Sequence, residues 1–138
     1  MYDDILEVFD KYRHLSNVEI EFRFGWKGTF NMFSSDISEY FYSNIKKQLD
    51  SCLSWNKIIK SHSIDSHYSN IRKTVYNNRE LIIKKTIIYS KTIPLVNSPF
   101  DLRISVATEI PATLDNSLTL TRHVCKNRTS YIYKMWSY

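Results

Sequence analysis

The stretch Asn17-Val-Glu-Ile-Glu-Phe-Arg-Phe-Gly25 decides how this chain folds. Val18, Ile20, Phe22 and Phe24 alternate with Glu19, Glu21 and Arg23, the period-two pattern of a half-buried strand. One side of that strand is apolar. The other carries two glutamates and an arginine. Glu is a poor strand residue, and neighbouring like charges repel. That face is therefore either open to water or set against positive charge.

Working outward, residues 3–13 read as a short amphipathic helix whose apolar side is Ile5, Leu6, Val8, Phe9 and Tyr12. A loop, GWKGTFNMFSS, follows the strand and holds both glycines of the chain. Residues 36–52 give the strongest helix signal. Asp36 and Glu39 have capping-box spacing, and Ile37, Phe41, Ile45 and Leu49 recur every fourth residue. Beyond it the sequence turns to β-branched and aromatic runs. Strands are expected at 55–64, 68–76, 80–89, 102–110, 118–126 and 128–136, with Asn77-Asn78 as a tight hairpin turn and a loop containing Pro94 and Pro99. Helix, strand, helix and then a run of strands predicts an α+β domain, mainly antiparallel β. There is no internal repeat and no low-complexity tract.

Alternation also assigns polar faces. Arg72 and Thr74 lie opposite Ile71 and Val75. Lys84 lies opposite Leu81, Ile83 and Ile87, beside Glu80 and Thr86. Arg103, Ser105 and Glu109 lie opposite Leu102, Ile104 and Val106, and Lys126, Arg128 and Ser130 share a face. Each strand thus offers charge on its polar side. Two architectures satisfy this. One is a sheet with one solvated face. The other is a barrel with its polar side inward and its apolar side covered by the two helices. Inward charges are costly unless they hold ions of both signs, a metal ion for the carboxylates and a phosphate for the cations.

The remaining features narrow the classes. The 138 residues are enough for a single domain with its own core. A net charge of +5 suits an anionic partner such as nucleic acid or a polyphosphate. Cys52 and Cys125 have no second Cys or His at ligand spacing, which excludes a disulfide framework and a zinc site and points to reduced thiols inside the cell. The acidic N-terminus is not a signal peptide, and no run approaches the ~20 apolar residues of a membrane span. His14, His62, His67 and His123 show no metal spacing. Neither a nucleophile elbow nor a Gly-rich phosphate loop is present.

The ordered segments VEIEFRFG, IRKT, LIIKKT, DLRISVATE and KNRTSY resemble the metal-dependent RNA 5′-triphosphatases of fungal and large-DNA-virus mRNA capping systems, which are triphosphate tunnel metalloenzymes. The resemblance covers residues 17–133. The Glu-x-Glu followed by aromatic-Arg-aromatic-Gly and the late Lys-x-Arg-x-Ser-Tyr carry most of it. It implies an antiparallel β-barrel tunnel with a hydrophilic interior and two packing helices, here a single domain over 1–138 that lacks its C-terminal strands. It implies hydrolysis of the γ-phosphate of triphosphate-ended RNA, the first step of mRNA capping, with nucleoside triphosphates or polyphosphate as further substrates of the superfamily. Glu19 and Glu21 would hold Mg²⁺ or Mn²⁺, and Glu109 would orient the attacking water. Arg72, Lys84, Arg103, Lys126 and Arg128 would bind the phosphates, with Arg103 on the face of Glu109 and able to pair with it. The partners implied are 5′-triphosphate RNA and a separate or fused guanylyltransferase. No membrane is implied; the expected location is the nucleus, a cytoplasmic virus factory or a virion.

The chain departs from the family pattern twice. Val124 stands where the cationic strand often begins with Arg, while Arg122 lies two residues earlier on that face. After Glu109 there is no glutamate, and Asp115 is the only carboxylate side chain, so the family's second Glu-x-Glu is missing. The expectation is a fragment of a longer protein or a degenerate member with half a metal site. The alternative function is a non-catalytic module that binds RNA 5′ ends or docks a capping partner.

Overall fold

The structure, a computed structural model, describes residues 2–133. The elements run α1 (Tyr2–Tyr12), β1 (Val18–Lys27), a 3₁₀ turn (Thr29–Asn31), β2 (Phe33–Ser34), α2 (Ser38–Ser51), β3 (Lys57–Tyr68), β4 (Ile71–Tyr76), β5 (Arg79–Pro94), β6 (Asp101–Pro111) and β7 (Arg122–Ile132). The strands are hydrogen-bonded in the order β2-β1-β6-β5-β4-β3-β7. This is an antiparallel sheet that does not close, an incomplete tunnel-type barrel with two helices, as the resemblance implied. No helix of the described residues is long and apolar enough to cross a membrane.

The chain divides into two compact units, one built from residues up to Ser38 with Lys84–Ile110, the other from Glu39–Ile83 and the residues from Pro111 onward. In the first, β1 lies antiparallel to β6 with Ile20 opposite Val106 and Phe22 opposite Ile104. Val8 of α1 packs with Ile93, Ile104 and Val106 as a buried cluster, joined by Ile5, Tyr12, Val18, Ile20 and Tyr89. Ile104 and Val106 are wholly excluded from water, each burial stabilising by about 1.5–3 kcal/mol. The apolar side of this sheet is thus the helix-covered side, and the residues between face the other way. The covering stripe is narrower than the sequence suggests, because Leu6 and Phe9 stay exposed. Lys91 on β5 pairs with Asp4 at 2.5 Å and pins the first turn of α1.

Gly25 is required by close approach. A methyl group built there would lie 2.1 Å from the Ser34 carbonyl oxygen and 2.5 Å from the Phe33 ring. Gly25→Ala is expected to prise β2 from β1 and to destabilise the protein by about 1–3 kcal/mol. Thermal melting checks this; an unchanged midpoint would refute it.

In the second unit β3 is flanked by β4 and β7. Asn77 and Asn78 both adopt positive φ, 47° and 59°, the conformation that a tight two-residue hairpin requires. The β3–β4 turn falls at Ser69-Asn70, with Ser69 at φ 57°. β3 therefore runs on through Tyr68, where the sequence reading breaks it at residue 64. The strands expected at 118–126 and 128–136 form the single strand β7; residues 134–136 of that expectation lie outside the described residues. Helix α2 starts at Ser38 rather than 36. The Ser38 N–H bonds the Asp36 carboxylate at 3.1 Å, so Asp36 serves a turn ahead of the helix instead of a capping box. At its other end, the Trp55 indole donates to the Leu49 carbonyl at 2.7 Å and the Tyr131 hydroxyl to Asp50 at 2.5 Å.

Candidate functional site

The face of β1 that carries Glu19 and Glu21 is set against positive charge. In the first unit, the Lys85 ammonium from β5 hydrogen-bonds Glu19 and lies 3.7 Å from Glu21 and 3.5 Å from Glu109 of β6. Three carboxylates from two adjacent strands thus converge on one ammonium. The register explains the convergence: Glu19 lies opposite Ala107 and Glu21 opposite Ser105, so Glu109 projects from the same face near the start of β1. The Glu109 N–H is fixed by the Asn17 carbonyl at 2.9 Å. Glu21 also accepts from Arg23 at 2.5 Å. That bond holds the Glu21 carboxyl below its ordinary range against the opposing effect of burial, with Lys85 adding to it. Lys85 is more buried than Glu19 or Glu21, its side chain 21% exposed against 40% and 33%.

The lysine in this cluster is Lys85, to which the sequence reading assigns no role; that reading places Lys84 at the phosphates. Lys84 is exposed, and among the described residues no carboxylate pairs with it. Strict alternation fails along β5. Lys85 meets the carboxylates, yet Tyr89, an even number of residues later, packs in the α1-covered core. Parity therefore does not keep the two faces of β5 apart along its length. Arg103 corrects a second expectation. It bonds the Ser90 hydroxyl at 2.9 Å and stacks over the Phe33 ring. It does not pair with Glu109, which lies six residues along the same strand, roughly 20 Å away.

The second unit holds a cationic cluster around a residue the sequence reading passes over. Asp65 on β3 is 1% exposed. It accepts hydrogen bonds from the Lys126 ammonium and from the Thr74 hydroxyl at 2.8 Å, and the Arg72 guanidinium stands 4.0 Å away. Burial pushes the Asp65 carboxyl up, but the bonds from Lys126 and Thr74 outweigh it and leave it below its ordinary value. Arg72 and Lys126, both expected at phosphates, therefore meet around a carboxylate. Arg128 is exposed and, with Arg79, Thr74, Tyr76, Ser61 and Ser63, lines a cleft of about 520 Å³. The Ser63 hydroxyl is buried there without a hydrogen-bond partner. His62 pairs with Asn127 at 2.8 Å and His123 with Ser66 at 3.2 Å, both across β3 and β7.

The fold, a seven-stranded antiparallel sheet with two helices, has known counterparts. It matches the structure of S. pombe Pct1 RNA triphosphatase with a TM-score of 0.69, and that of the same protein in complex with the Spt5 CTD with 0.74. The chain has the fold of an RNA triphosphatase. Sequence identity is 17% in both comparisons, and each covers 96% of this chain. The chain spans about two thirds of the S. pombe protein, 65% and 68% in the two structures. No protein-family model and no curated protein matches the sequence. The resemblance read from five short segments is thus borne out at the level of the fold.

The resemblance of the sequence implies a divalent metal held by Glu19 and Glu21. Glu19 and Glu21 offer hard carboxylate oxygens, partly open to solvent, about 6–7 Å apart along the strand. This suits an ion that takes one or two carboxylates and keeps waters and phosphate oxygens as its other ligands. Among the described residues no group of three His, Cys, Asp or Glu side chains is disposed to close around an ion. The donor set is thus two hard carboxylates with no third protein ligand disposed to join them among the described residues.

Proposed function

We propose that the chain acts as an mRNA 5′-triphosphatase, hydrolysing the γ-phosphate of triphosphate-ended RNA to leave a diphosphate end. The observation that carries this reading is the convergence of Glu19, Glu21 and Glu109 on one face of a sheet with an RNA-triphosphatase fold. Glu19 and Glu21 would hold the Mg²⁺ or Mn²⁺ ion. When bound, that ion supplies charge stabilisation to the phosphoryl group being transferred. The resemblance assigns Arg72, Lys126 and Arg128, residues of the second unit, to neutralising phosphate charge, which is most of what a protein contributes to phosphoryl transfer. Glu109 is the carboxylate assigned to orienting water for in-line attack and accepting its proton. Lys84 and Arg103 stand apart from both clusters and are given no role. The substrates are 5′-triphosphate RNA and, secondarily, nucleoside triphosphates. A guanylyltransferase, fused or separate, would take the product, and the protein would work inside the cell with the capping machinery.

The test is release of γ-phosphate from triphosphate-ended RNA with Mg²⁺ or Mn²⁺. The expected result is multiple turnover that stops when the metal is removed with a chelator. Phosphate release that persists after chelation would overturn the metal-dependent reading.

One observation favours a second reading. The carboxylates already have a cation in Lys85, which suits a module that holds RNA 5′ ends or docks a partner without turnover. The S. pombe protein in complex with the Spt5 CTD is a precedent for docking. On this reading RNA is retained on a filter in a salt-sensitive manner and no phosphate is released.

A further inference from the structure

The cation that completes the carboxylate cluster belongs to the chain itself. Lys85 touches Glu19, Glu21 and Glu109 at once, and its side chain is 21% exposed. An ammonium that far withdrawn from water has lost much of its hydration and relies on those carboxylates in return. Each carboxylate would otherwise repel the other two. Lys85 thus meets in the free protein the same electrostatic need that a divalent ion meets in the loaded one.

We propose that Lys85 is the resident counter-cation of this site and that a divalent metal binds only by displacing its ammonium. This rests on the metal-dependent reading above and adds the regulation of the same site. The charge balance supports it. Lys85 already meets all three carboxylates, and Arg23 meets Glu21 as well. A doubly charged ion would enter against an ammonium a few ångströms away, where like charges repel strongly in a partly desolvated site. The lysine stem is flexible and its ammonium rotates freely, so the group can swing out toward solvent or toward an arriving anion. Arg23 is tied to Glu21 on its own strand and reaches Glu19 only through its electrostatic field, so displacement falls to Lys85. The consequence is a site whose empty form is held together without metal and whose metal affinity is held down.

The experiment titrates Mn²⁺ into the wild-type chain, Lys85→Met and Lys84→Met, following free Mn²⁺ by electron paramagnetic resonance, with circular dichroism to verify the fold. Lys84→Met makes the same change in net charge one residue away. Lys85→Met is expected to bind Mn²⁺ tighter by on the order of tenfold or more, and Lys84→Met by no more than about threefold. Equal affinity in wild type and Lys85→Met overturns the inference and leaves the metal reading standing. Binding in neither overturns both. The second measurement uses the wild-type chain alone, so it stands even if Lys85→Met does not fold. Lysine acetylation is quantified peptide by peptide, with and without saturating Mn²⁺. Lys85 should react slowly without metal and markedly faster with it, while Lys84 reacts alike in both. Unchanged reactivity at Lys85 overturns the inference.

Discussion

Asp65→Ala is expected to lower the stability of the folded chain by about 3–5 kcal/mol, the cost of removing one partner of a buried charge cluster, with a fall in Tm on the order of 10 °C. Asp65 is 1% exposed, accepts hydrogen bonds from Lys126 and Thr74, and has the Arg72 guanidinium 4.0 Å away. Alanine would leave two cations facing each other across β4, β3 and β7 with nothing between them. Asp65→Asn keeps the volume and the Thr74 bond and should cost less. A pH dependence follows with a definite sign. Burial raises the Asp65 carboxyl and the bonds from Lys126 and Thr74 lower it, with the net shift downward. A depressed folded value means that the contribution is intact above the unfolded value of about 3.9 and is lost as the pH falls through the folded one. Urea denaturation at pH 7 and at pH 3 should therefore show wild type losing more stability on acidification than Asp65→Asn. Glu21, also depressed, titrates in both proteins and cancels in the comparison. Equal losses in the two proteins would mean that Asp65 is not the paired ion described here.

The same residue shows where the sequence is hard to read. A strand with Ser61, Ser63, Asp65 and His67 at every second position has one polar face, and period two makes that visible. The signal is lost when the strand is ended at Ile64, which puts Asp65 in a loop. Ends are weakly marked here because the Ser69-Asn70 turn carries no glycine or proline, and its positive φ falls on Ser69, a residue seldom expected there. The Asn77-Asn78 turn was legible for the opposite reason, since Asn tolerates the left-handed conformation that both residues adopt.

The carboxylates were legible because they sit in an unbroken alternation that the β1–β6 register preserves for eight consecutive pairs, Val18↔Thr108 to Gly25↔Asp101. Their partner was not. ELIIKKTII places two lysines side by side, and parity chooses between them only if the strand stays regular. The change of face between Lys85 and Tyr89 leaves no mark on composition, so counting from Ile87 selects Lys84 while the sheet presents Lys85. Arg103 was read correctly as polar-faced, but a face spans many residues. Sharing one with Glu109 implies no contact when six positions separate the two. Fold class depends on many such assignments and survives one slip; a site depends on each of them.

Glu19→Ala is expected to cut γ-phosphate release by at least about a hundredfold, the scale on which removing one preorganised charge-stabilising group reduces a rate, while changing stability by less than about 1 kcal/mol. The two effects separate because of how the cluster is shared. Without Glu19, Lys85 still has Glu21 at 3.7 Å and Glu109 at 3.5 Å, and Glu19 itself is 40% exposed. The fold therefore keeps its charge balance, and the loss falls on metal retention and turnover. Glu21→Ala should match it in activity but cost somewhat more stability, because Arg23 loses its 2.5 Å partner as well. Steady-state rates over a range of Mn²⁺ concentrations, run beside thermal melts, separate these cases. A role in holding metal predicts that high Mn²⁺ restores part of the Glu19→Ala activity; a role in packing predicts no rescue and a lowered Tm. Activity within twofold of wild type in Glu19→Ala would remove Glu19 from the catalytic site. The paired glutamates of β1 would then be explained by Lys85 and Arg23 alone, as a structural ion cluster on a strand that tolerates like charges because its neighbour supplies the opposite one.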